Sequence, residues 1–449
     1  MSKRSAGFRS CVALGLILSA AGAAFAQRAG YSREEFVRRR AALMERTKTG
    51  GIILFGDVDV PAGTHFRQDN DFFYFSGNED LGAVLVLIPL AKETVLFLPE
   101  QSAREVMVDG PNLIRDPEAQ SRTGFKDVLP LGFLDEFLAR NMSRFQGVLH
   151  LRLSPRDMMD GARSETALMD ARKARSHYNA QLSLDQDRIE KLRSRYPQLA
   201  FRDVTPVVDG LRVLKTPEEV EILRRNGRLS AEAVRQAMLA TRPGVFEYEI
   251  EAAAMAVILK GGARGAAYAP IVGSGPNSCT WHYDKNSRRV EAPDVVLMDF
   301  GADLDHLTMD ITRTWPASGR FTDEQREAYR VVLEVQKACI EAYRPGATPR
   351  DIRDHVASVL KARGLDPRGL LGEFGHGVGL SVHDVPLGGV LREGMVFAIE
   401  PALYYPEKAM GLRVEDTVLI TRTGCEVLTR GVPKEIEDIE KLLAGRPAK

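Results

Sequence analysis

Residues 298–315 read MDFGADLDHLTMDITRTW, and this stretch decides how the rest of the chain is interpreted. The apolar run at residues 295–298 predicts a buried strand that leads into Asp299, and Asp310 follows eleven positions later. An unpaired carboxylate in an apolar interior costs on the order of several kcal/mol unless a cation or a hydrogen-bond donor meets it. Asp299 and Asp310 are therefore candidate metal ligands. A hairpin whose aspartates simply occupy turns is the alternative that this stretch alone leaves open.

Three later stretches offer further ligands at the ends of apolar runs or within them. They are FGHGVGLSVHDVP at residues 374–386, GMVFAIEP at 394–401 and GLRVEDTVLIT at 411–421, and they contain His376, Glu400 and Glu415. Two aspartates, one histidine and two glutamates form an oxygen-rich set with a single imidazole. Such a set suits a pair of divalent ions such as manganese, cobalt or iron better than a thiolate-rich zinc cage.

These motifs resemble those of the pita-bread metallopeptidases, which comprise aminopeptidase P, prolidase and methionine aminopeptidase and whose ligands come in the order Asp, Asp, His, Glu, Glu. The sequences DITRTW, VHDVP and EP followed by RVED are most similar to aminopeptidase P and prolidase. The resemblance covers about residues 203–429. A weaker likeness reaches back through FRQDNDFFYFSGNED at residues 66–80, which is similar to the N-terminal domain of aminopeptidase P and of similar prolidases.

The resemblance implies a role for each ligand. Asp299 would hold the first metal ion, and Asp310 and Glu415 would bridge the two ions. His376 and Glu400 would complete the second site. Glu400 is also the candidate proton shuttle, which would accept a proton from the attacking water and pass it to the leaving nitrogen.

Three catalytic candidates lie outside the ligand set. His282 and His383 match positions that contact the scissile group or stabilise the tetrahedral intermediate in the family. Arg413 lies two residues before Glu415 and would support the metal site or the substrate backbone through charge-assisted hydrogen bonds. A surface salt bridge is the alternative for this arginine.

The chain departs from the family pattern at three positions. Gly372 stands where many relatives have a histidine four positions before the metal histidine, Ala402 replaces a glycine common after the EP pair, and Leu307 replaces an aromatic residue. None of these changes removes a ligand. We therefore expect the chemistry to survive and the substrate pocket to differ.

The length of 449 residues predicts two domains after a signal peptide. Residues 1–26 have a basic start, an apolar core and a small-residue cleavage site, which predicts export and cleavage rather than a membrane anchor. Residues 27–205 are interpreted as an N-terminal α/β domain similar to that of aminopeptidase P. Residues 206–449 are interpreted as an α+β catalytic domain, in which two helices followed by carboxylate-bearing strands occur twice, as the family's pseudo-twofold pita-bread fold implies.

Local patterns predict the elements within these domains. In the N-terminal domain they indicate a helix at residues 33–46 and strands at 52–55, 72–75, 83–88 and 94–98. In the catalytic domain, capping signals predict helices that begin after Thr216, near Phe246, after Thr322 and after Thr348.

Charge and cysteine content restrict the range of functions. Lys and Arg total 61 and so do Asp and Glu, so no global basic excess indicates a nucleic acid or a membrane surface as a partner. Cys279, Cys339 and Cys425 lack the dense spacing of a disulfide scaffold, and we expect no essential disulfide. Cys279 is interpreted as a small buried residue rather than a nucleophile.

The signal peptide predicts export, and the resemblance implies that the exported, periplasmic or secreted protein is an Xaa-Pro aminopeptidase. Its cofactor would be two divalent metal ions, with manganese expected first and cobalt, zinc or iron as alternatives. Its partners would be peptides with proline in second position, and the sequence leaves a homo-oligomer open. Two other readings are kept: a prolidase restricted to dipeptides, and a pita-bread protein that binds partners without catalysis.

Overall fold

The structure is a computed structural model that describes residues 30–58, 60, 65–179, 182–364, 374–385 and 388–446. The predicted signal peptide and Gly372 lie outside these residues. No helix within the described ranges is long and apolar enough to cross a bilayer.

The N-terminal domain is a six-stranded mixed sheet covered by helices. Its strands lie in the order β4-β3-β2-β1-β5-β6, and β1 pairs antiparallel with β2 and parallel with β5. The strands are β1 (Gly51–Phe55), β2 (Val84–Ile88), β3 (Glu93–Leu98), β4 (Asp127–Pro130), β5 (Val148–Leu151) and β6 (Ala200–Asp203). The helices are α1 (Arg33–Thr47), α2 (Asn70–Ser76), α3 (Ala103–Asp109), α4 (Ala119–Thr123), α5 (Leu134–Arg140), α6 (Arg163–Lys173) and α7 (Leu184–Arg195).

One predicted strand of this domain is wrong. Residues 72–75, an unbroken aromatic run, lie in helix α2. The Asp69 side chain accepts a hydrogen bond from the backbone N–H of Phe72 and caps the helix start, and Gly77 ends the helix in the left-handed conformation. Every residue of this short helix is buried. A buried run of four apolar residues has no periodicity that separates strand from helix.

The catalytic domain contains two sets of helices and antiparallel strands. The helices are α8 (Thr205–Arg212), α9 (Pro217–Ala240), α10 (Glu247–Lys260), α11 (Asp323–Ala342), α12 (Pro349–Ala362) and α13 (Ile436–Ala444). The strands are β7 (Gly265–Ala266), β8 (Ile271–Ser274), β9 (Val295–Phe300), β10 (Ala302–Asp303), β11 (Ile311–Pro316), β12 (Val396–Ile399), β13 (Ala402–Tyr405), β14 (Met410–Arg413), β15 (Asp416–Ile420) and β16 (Cys425–Val427).

The four predicted helix starts of this domain are confirmed. Thr216 caps α9 with a reciprocal pair of bonds, in which its hydroxyl accepts from the Glu219 N–H and the Glu219 carboxylate accepts from the Thr216 N–H at 2.8 Å. Thr322 and Thr348 form the same capping box at α11 and α12. Helix α10 begins at Glu247, directly after Phe246.

The strands form two small sheets that bring the ligand motifs together. One sheet has the order β11-β9-β8 and the other has the order β12-β15-β16. Strands β9 and β11 pair antiparallel, with Asp299 opposite Thr312. Strands β12 and β15 also pair antiparallel, with Ile399 opposite Asp416. Asp299 thus lies one pair from the end of its sheet, and Glu400 and Glu415 directly flank the pair of Ile399 and Asp416.

The two domains share a hydrophobic core. Phe73 of the N-terminal domain packs in one buried cluster with Leu307, Val378 and Leu419 of the catalytic domain. The last strand of the N-terminal sheet ends at Asp203, and α8 begins at Thr205. The predicted boundary at residues 205 and 206 itself stays a prediction. Cys279, Cys339 and Cys425 are all free thiols.

Candidate metal centre

Asp299 and Asp310 are placed by the hairpin of β9 and β11. Asp299 lies near the end of β9, and Asp310 directly precedes β11. Gly301 permits the close approach of the two arms, because a Cβ atom there would lie 1.6 Å from the carbonyl oxygen of Met309. Both carboxylates are buried, with exposed fractions of 9% for Asp299 and 6% for Asp310. The hydroxyl of Tyr268 lies between the two carboxylates, where Asp299 and Asp310 share its one hydrogen, and the distance to Asp310 Oδ1 is 2.6 Å.

His376, Glu400 and Glu415 come from the second set of strands. The carbonyl oxygen of His376 accepts from the N–H of Ala398 in β12, and Glu400 directly follows that strand. Glu415 directly precedes β15, and its N–H donates to the carbonyl oxygen of Thr312 at 3.0 Å. The last bond joins the two sheets at the site.

The five predicted ligands converge on one point of the catalytic domain. His376 Nε2 lies 3.5 Å from Asp310 Oδ2 and 3.3 Å from Glu400 Oε1. Asp310, His376 and Glu415 each offer a ligand atom within 4.8 Å of the others. Asp299 joins them through the shared hydroxyl of Tyr268. We call these residues the five-residue cluster: Asp299, Asp310, His376, Glu400 and Glu415.

The pKa values show that negative charge accumulates in this cluster. Burial and the charges of Asp299 and Glu400 raise the pKa of Asp310 well above its usual value. Burial and the charge of Asp310 do the same for Glu415. Burial would also raise the pKa of Glu400, but its contact with His376 lowers it. The pKa of Glu400 is thus lowered, whereas the pKa values of Asp310 and Glu415 are raised.

The donor set fits divalent cations. Among the described residues, Arg413 pairs with Asp299, and His376 contacts Asp310 and Glu400, so two basic side chains face four carboxylates. Glu415 is only 1% exposed, yet its Oε1 atom has no hydrogen-bond partner among the described residues. A buried carboxylate oxygen without a partner is expected where a cation supplies the missing interaction. Oxygen donors and one imidazole are ligands that divalent ions take.

Arg413 occupies the wall of the cluster rather than the protein surface. Its guanidinium pairs with Asp299, and its Nε donates to the hydroxyl of Thr312 at 2.9 Å. Thr312 in turn donates to Glu415 Oε2 at 2.6 Å. Arg413 also donates to the hydroxyl of Tyr404 at 3.3 Å. The arginine and the threonine therefore orient carboxylates from both sheets.

The two remaining histidine candidates have different surroundings. The His383 ring lies 4.0 Å from the His376 ring, measured between centroids, and its Nδ1 lies 3.0 Å from Glu165 Oε1. His282 is exposed, and no hydrogen bond or ion pair within the described part of the chain ties it to the five-residue cluster. Its neighbour Trp281 stacks on Tyr404 at 5.7 Å, which places this segment beside Arg413.

Two of the three departures from the family pattern, Leu307 and Ala402, fall within the described residues. Leu307 is fully buried in the core shared by the domains. Ala402 begins β13 opposite Arg413. Four contacts of the site were not anticipated from the sequence, namely those of Tyr268, Thr312, Tyr404 and Glu165. Thr312 carries a weak signal because it belongs to the DITRTW motif, whereas Tyr268 and Glu165 lie in stretches without any motif.

Comparison with known protein families explains this geometry. Residues 221–422 match the model of metallopeptidase family M24, and residues 36–150 match the N-terminal domain of aminopeptidase P. The Xaa-Pro aminopeptidase of Escherichia coli is 35% identical, and the alignment covers 92% of this chain and 98% of that protein. The chain belongs to metallopeptidase family M24. This M24 chain is therefore a peptide-bond hydrolase of a metal-dependent family, with an aminopeptidase P N-terminal domain and a pita-bread catalytic domain.

Two further comparisons show how much of this M24 chain is similar to an aminopeptidase and to a dipeptidase. The structure of Escherichia coli aminopeptidase P with the inhibitor Pro-Leu is 31% identical, covers 93% of this chain and 99% of that one, and superposes with a TM-score of 0.76. The Xaa-Pro dipeptidase of Pyrococcus furiosus is 35% identical, but the alignment covers 55% of this chain and 72% of that protein. The likeness to the aminopeptidase thus extends over both domains.

Proposed function

We propose that the protein is a dinuclear-metal-dependent Xaa-Pro aminopeptidase, which releases the first residue from peptides whose second residue is proline. The observation that carries this proposal is the five-residue cluster, in which buried carboxylates from two sheets face each other without enough basic side chains. The similarity to an Xaa-Pro aminopeptidase over 92% of the chain supports the choice of substrate. The Pro-Leu complex of the related aminopeptidase P supports the same choice.

The roles of the ligands follow the order of the motifs. Asp299 would hold one ion, His376 and Glu400 would hold the other, and Asp310 and Glu415 would contact both. When bound, two divalent ions polarise a carbonyl group and provide a nucleophile at neutral pH. Manganese is the proposed ion because hard oxygen donors predominate, and cobalt, zinc and iron are the alternatives.

The protein's own residues would supply orientation and proton transfer. Glu400 has a lowered pKa, so it is ionised at neutral pH and can accept a proton and return it to the leaving nitrogen. Arg413 and Thr312 hold Asp299 and Glu415 in place. His383 lies beside His376, where its ring can contact the scissile group. His282 is exposed and would meet the substrate from the segment beside Tyr404.

Prolidase activity is the second candidate, and the contacts of two arginines weaken it. A dipeptidase must bind the substrate carboxylate next to the proline, and Arg288 and Arg289 are basic residues that could do so. Arg288 is already paired with Asp294 and donates to the hydroxyl of Ser274 at 2.9 Å. Arg289 donates from its Nε to the carbonyl oxygen of Gly244 at 3.1 Å. Both guanidinium groups thus already have partners within the protein.

Substrate length tests the proposal. We expect the manganese-loaded enzyme to cleave an Xaa-Pro-Xaa-Xaa tetrapeptide with a kcat/KM at least equal to that for the matching Xaa-Pro dipeptide. A tetrapeptide with alanine in second position is the matched control and should be cleaved far more slowly. Hydrolysis of the dipeptide alone would show that prolidase is the correct assignment.

We also propose that the protein is exported and that residues 1–26 are removed. The basic start, the short apolar run and the Ala24-Phe25-Ala26 cleavage pattern support this. N-terminal sequencing of native protein from a non-cytoplasmic fraction should begin at or near Gln27. A native chain that retains Met1 and stays in the cytosol would contradict it.

A further inference from the structure

The segment that carries His383 is held by the N-terminal half of the chain. The N–H of Val382 donates to the carbonyl oxygen of Met159 at 2.8 Å. The hydroxyl of Ser381 donates to the carbonyl oxygen of Gly161 at 3.2 Å. Arg67 donates to the carbonyl oxygen of Leu380 at 2.7 Å. The backbone around His383 is therefore positioned by residues that carry none of the metal ligands.

The residue after His383 is fixed in the same way. Asp384 is 8% exposed and accepts from Arg212 Nη2 at 2.6 Å and from Lys215 Nζ at 2.7 Å. Arg212 belongs to α8 and Lys215 to the turn that precedes α9. With both neighbours of His383 anchored, the orientation of its ring depends on what the ring itself contacts.

Besides the His376 ring, the His383 ring contacts Glu165, in the first turn of α6. Glu165 Oε1 lies 3.0 Å from His383 Nδ1, and Oε2 accepts from the N–H of Ala162 at 2.6 Å. The bond to the Ala162 N–H fixes the Glu165 carboxylate at the start of α6. The group that contacts His383 therefore belongs to a rigid element. Because Glu165 takes Nδ1 of the ring, Nε2 is the nitrogen left to meet a substrate.

We propose that Glu165 is a positioning residue that fixes the His383 ring for catalysis. An imidazole ring can turn about its Cβ–Cγ bond, and a hydrogen bond to one nitrogen selects one orientation. Loss of that bond leaves the ring to sample orientations in which Nε2 misses the reacting group. The inference rests on the proposed peptidase function, because it assigns a purpose to His383 in that reaction.

A purely structural role for Glu165 predicts a different outcome. Its bond to the Ala162 N–H caps α6, and loss of such a cap lowers the stability of the protein. Glu249 is the matched control, because its carboxylate accepts from the N–H of Phe246 at 2.7 Å at the start of α10. Glu249 has no contact with His383 among those that the structure describes. Glu249→Ala should lower stability without changing turnover.

A double-mutant cycle tests the inference. Wild type, Glu165→Ala, His383→Ala and the double variant are assayed with manganese on an Xaa-Pro-Xaa-Xaa peptide, and Tm is measured for each. We expect Glu165→Ala to lower kcat by about tenfold with KM within about threefold, and to have no further effect in the His383→Ala background. Should Glu165→Ala fold poorly, Glu165→Leu replaces it in the cycle, since leucine keeps the bulk and removes both hydrogen bonds.

The outcomes separate the inference from the proposed function. An inactive wild-type enzyme would contradict the peptidase assignment itself. An active wild type in which the Glu165 and His383 effects multiply independently would overturn the inference alone. Unchanged kcat in Glu165→Ala would overturn it as well.

Discussion

Two buried clusters of charged side chains lie next to each other in this molecule, and they differ in how the charge is balanced. In the five-residue cluster, four carboxylates face one arginine and one histidine. In the other cluster, which we call the ion-pair network, every carboxylate contacts at least one cation. Its members are Asp71, Asp157, Asp384, Arg163, Arg212 and Lys215.

The difference in balance appears in the pKa values. Burial would raise the pKa of Asp384, but Lys215 and Arg212 lower it below its usual value. Burial also raises the pKa of Asp310, but here the neighbouring charges, those of Asp299 and Glu400, raise it further. A balanced buried network fixes a structure, whereas an excess of buried negative charge indicates a site that binds a cation. A buried aspartate thus indicates a fixed structure in the ion-pair network and a cation site in the five-residue cluster.

The largest expected effect is the loss of activity when a shared ligand is removed. Asp310→Ala or Glu415→Ala should lower kcat/KM on an Xaa-Pro-Xaa peptide by at least about a thousandfold, because each would remove a ligand proposed to contact both ions. Asp294→Ala is the comparison, since this aspartate pairs with Arg288 away from the cluster. Activity near the wild-type level in Asp310→Ala would show that the five-residue cluster is not needed for activity.

The second effect concerns stability in the ion-pair network. Arg212 is 1% exposed and donates to Asp71 at 2.7 Å, Asp157 at 2.6 Å and Asp384 at 2.6 Å. Arg212→Met leaves three buried carboxylates without this partner, and we expect a loss of about 3–5 kcal/mol in the free energy of unfolding. Denaturant titration measures this loss.

The control for this experiment is an arginine in a half-exposed ion pair. Arg224 pairs with Glu426 at 2.7 Å, with 34% and 24% of the two side chains exposed. Arg224→Met should cost less than about 1 kcal/mol. Equal losses in the two variants would show that the ion-pair network is no more structural than a surface pair.

The third prediction is that an Asp→Asn substitution changes the Tm in opposite directions in the two clusters. In chelator at pH 8, Asp310→Asn should raise the Tm of the protein, because it removes a charge that Asp299 and Glu400 repel. Asp157→Asn should lower the Tm, because it removes a partner of Arg212. Differential scanning calorimetry measures the Tm of both variants. Destabilisation of similar size in both variants would contradict the difference in charge balance.

The smallest effect is a pH dependence of the ion-pair network. Asp71 and Asp384 have pKa values below their usual values in the folded protein, since nearby arginines and Lys215 overcome the effect of burial. Their contribution to stability is therefore complete above the unfolded pKa, about 4, and is lost as the pH falls below it. Stability should fall less steeply below about pH 4 in Arg212→Met than in wild type. Equal slopes would count against this role of Arg212.

Most of the fold was predictable because local signals and the motif order agree. The capping boxes at Thr216, Thr322 and Thr348 mark helices that the structure contains. The exception, residues 72–75, is a buried aromatic run whose conformation is decided by Asp69 and Gly77 at its ends. The motifs also placed the five candidate ligands at the ends of apolar runs or within them, and the structure has these residues close together.

The contacts around the ligands could not be predicted in the same way. Glu165 meets His383 across 218 positions of sequence, and Thr312 meets Glu415 across 103. Such pairs depend on how the two domains and the two sheets pack, and a single sequence has no local pattern for them. Arg413 was a candidate from its spacing, but its pairing with Asp299 depends on the contact between the sheets.

The most direct test of the central claim is the hydrolysis rate of an Xaa-Pro-Xaa tripeptide by exhaustively chelated enzyme as manganese is returned. We expect the chelated enzyme to be inactive and the activity to recover with added manganese, and we expect Asp310→Asn to recover little at the same concentrations. Full activity in the chelated wild-type enzyme, with no response to manganese, would contradict the account of the five-residue cluster as a metal centre.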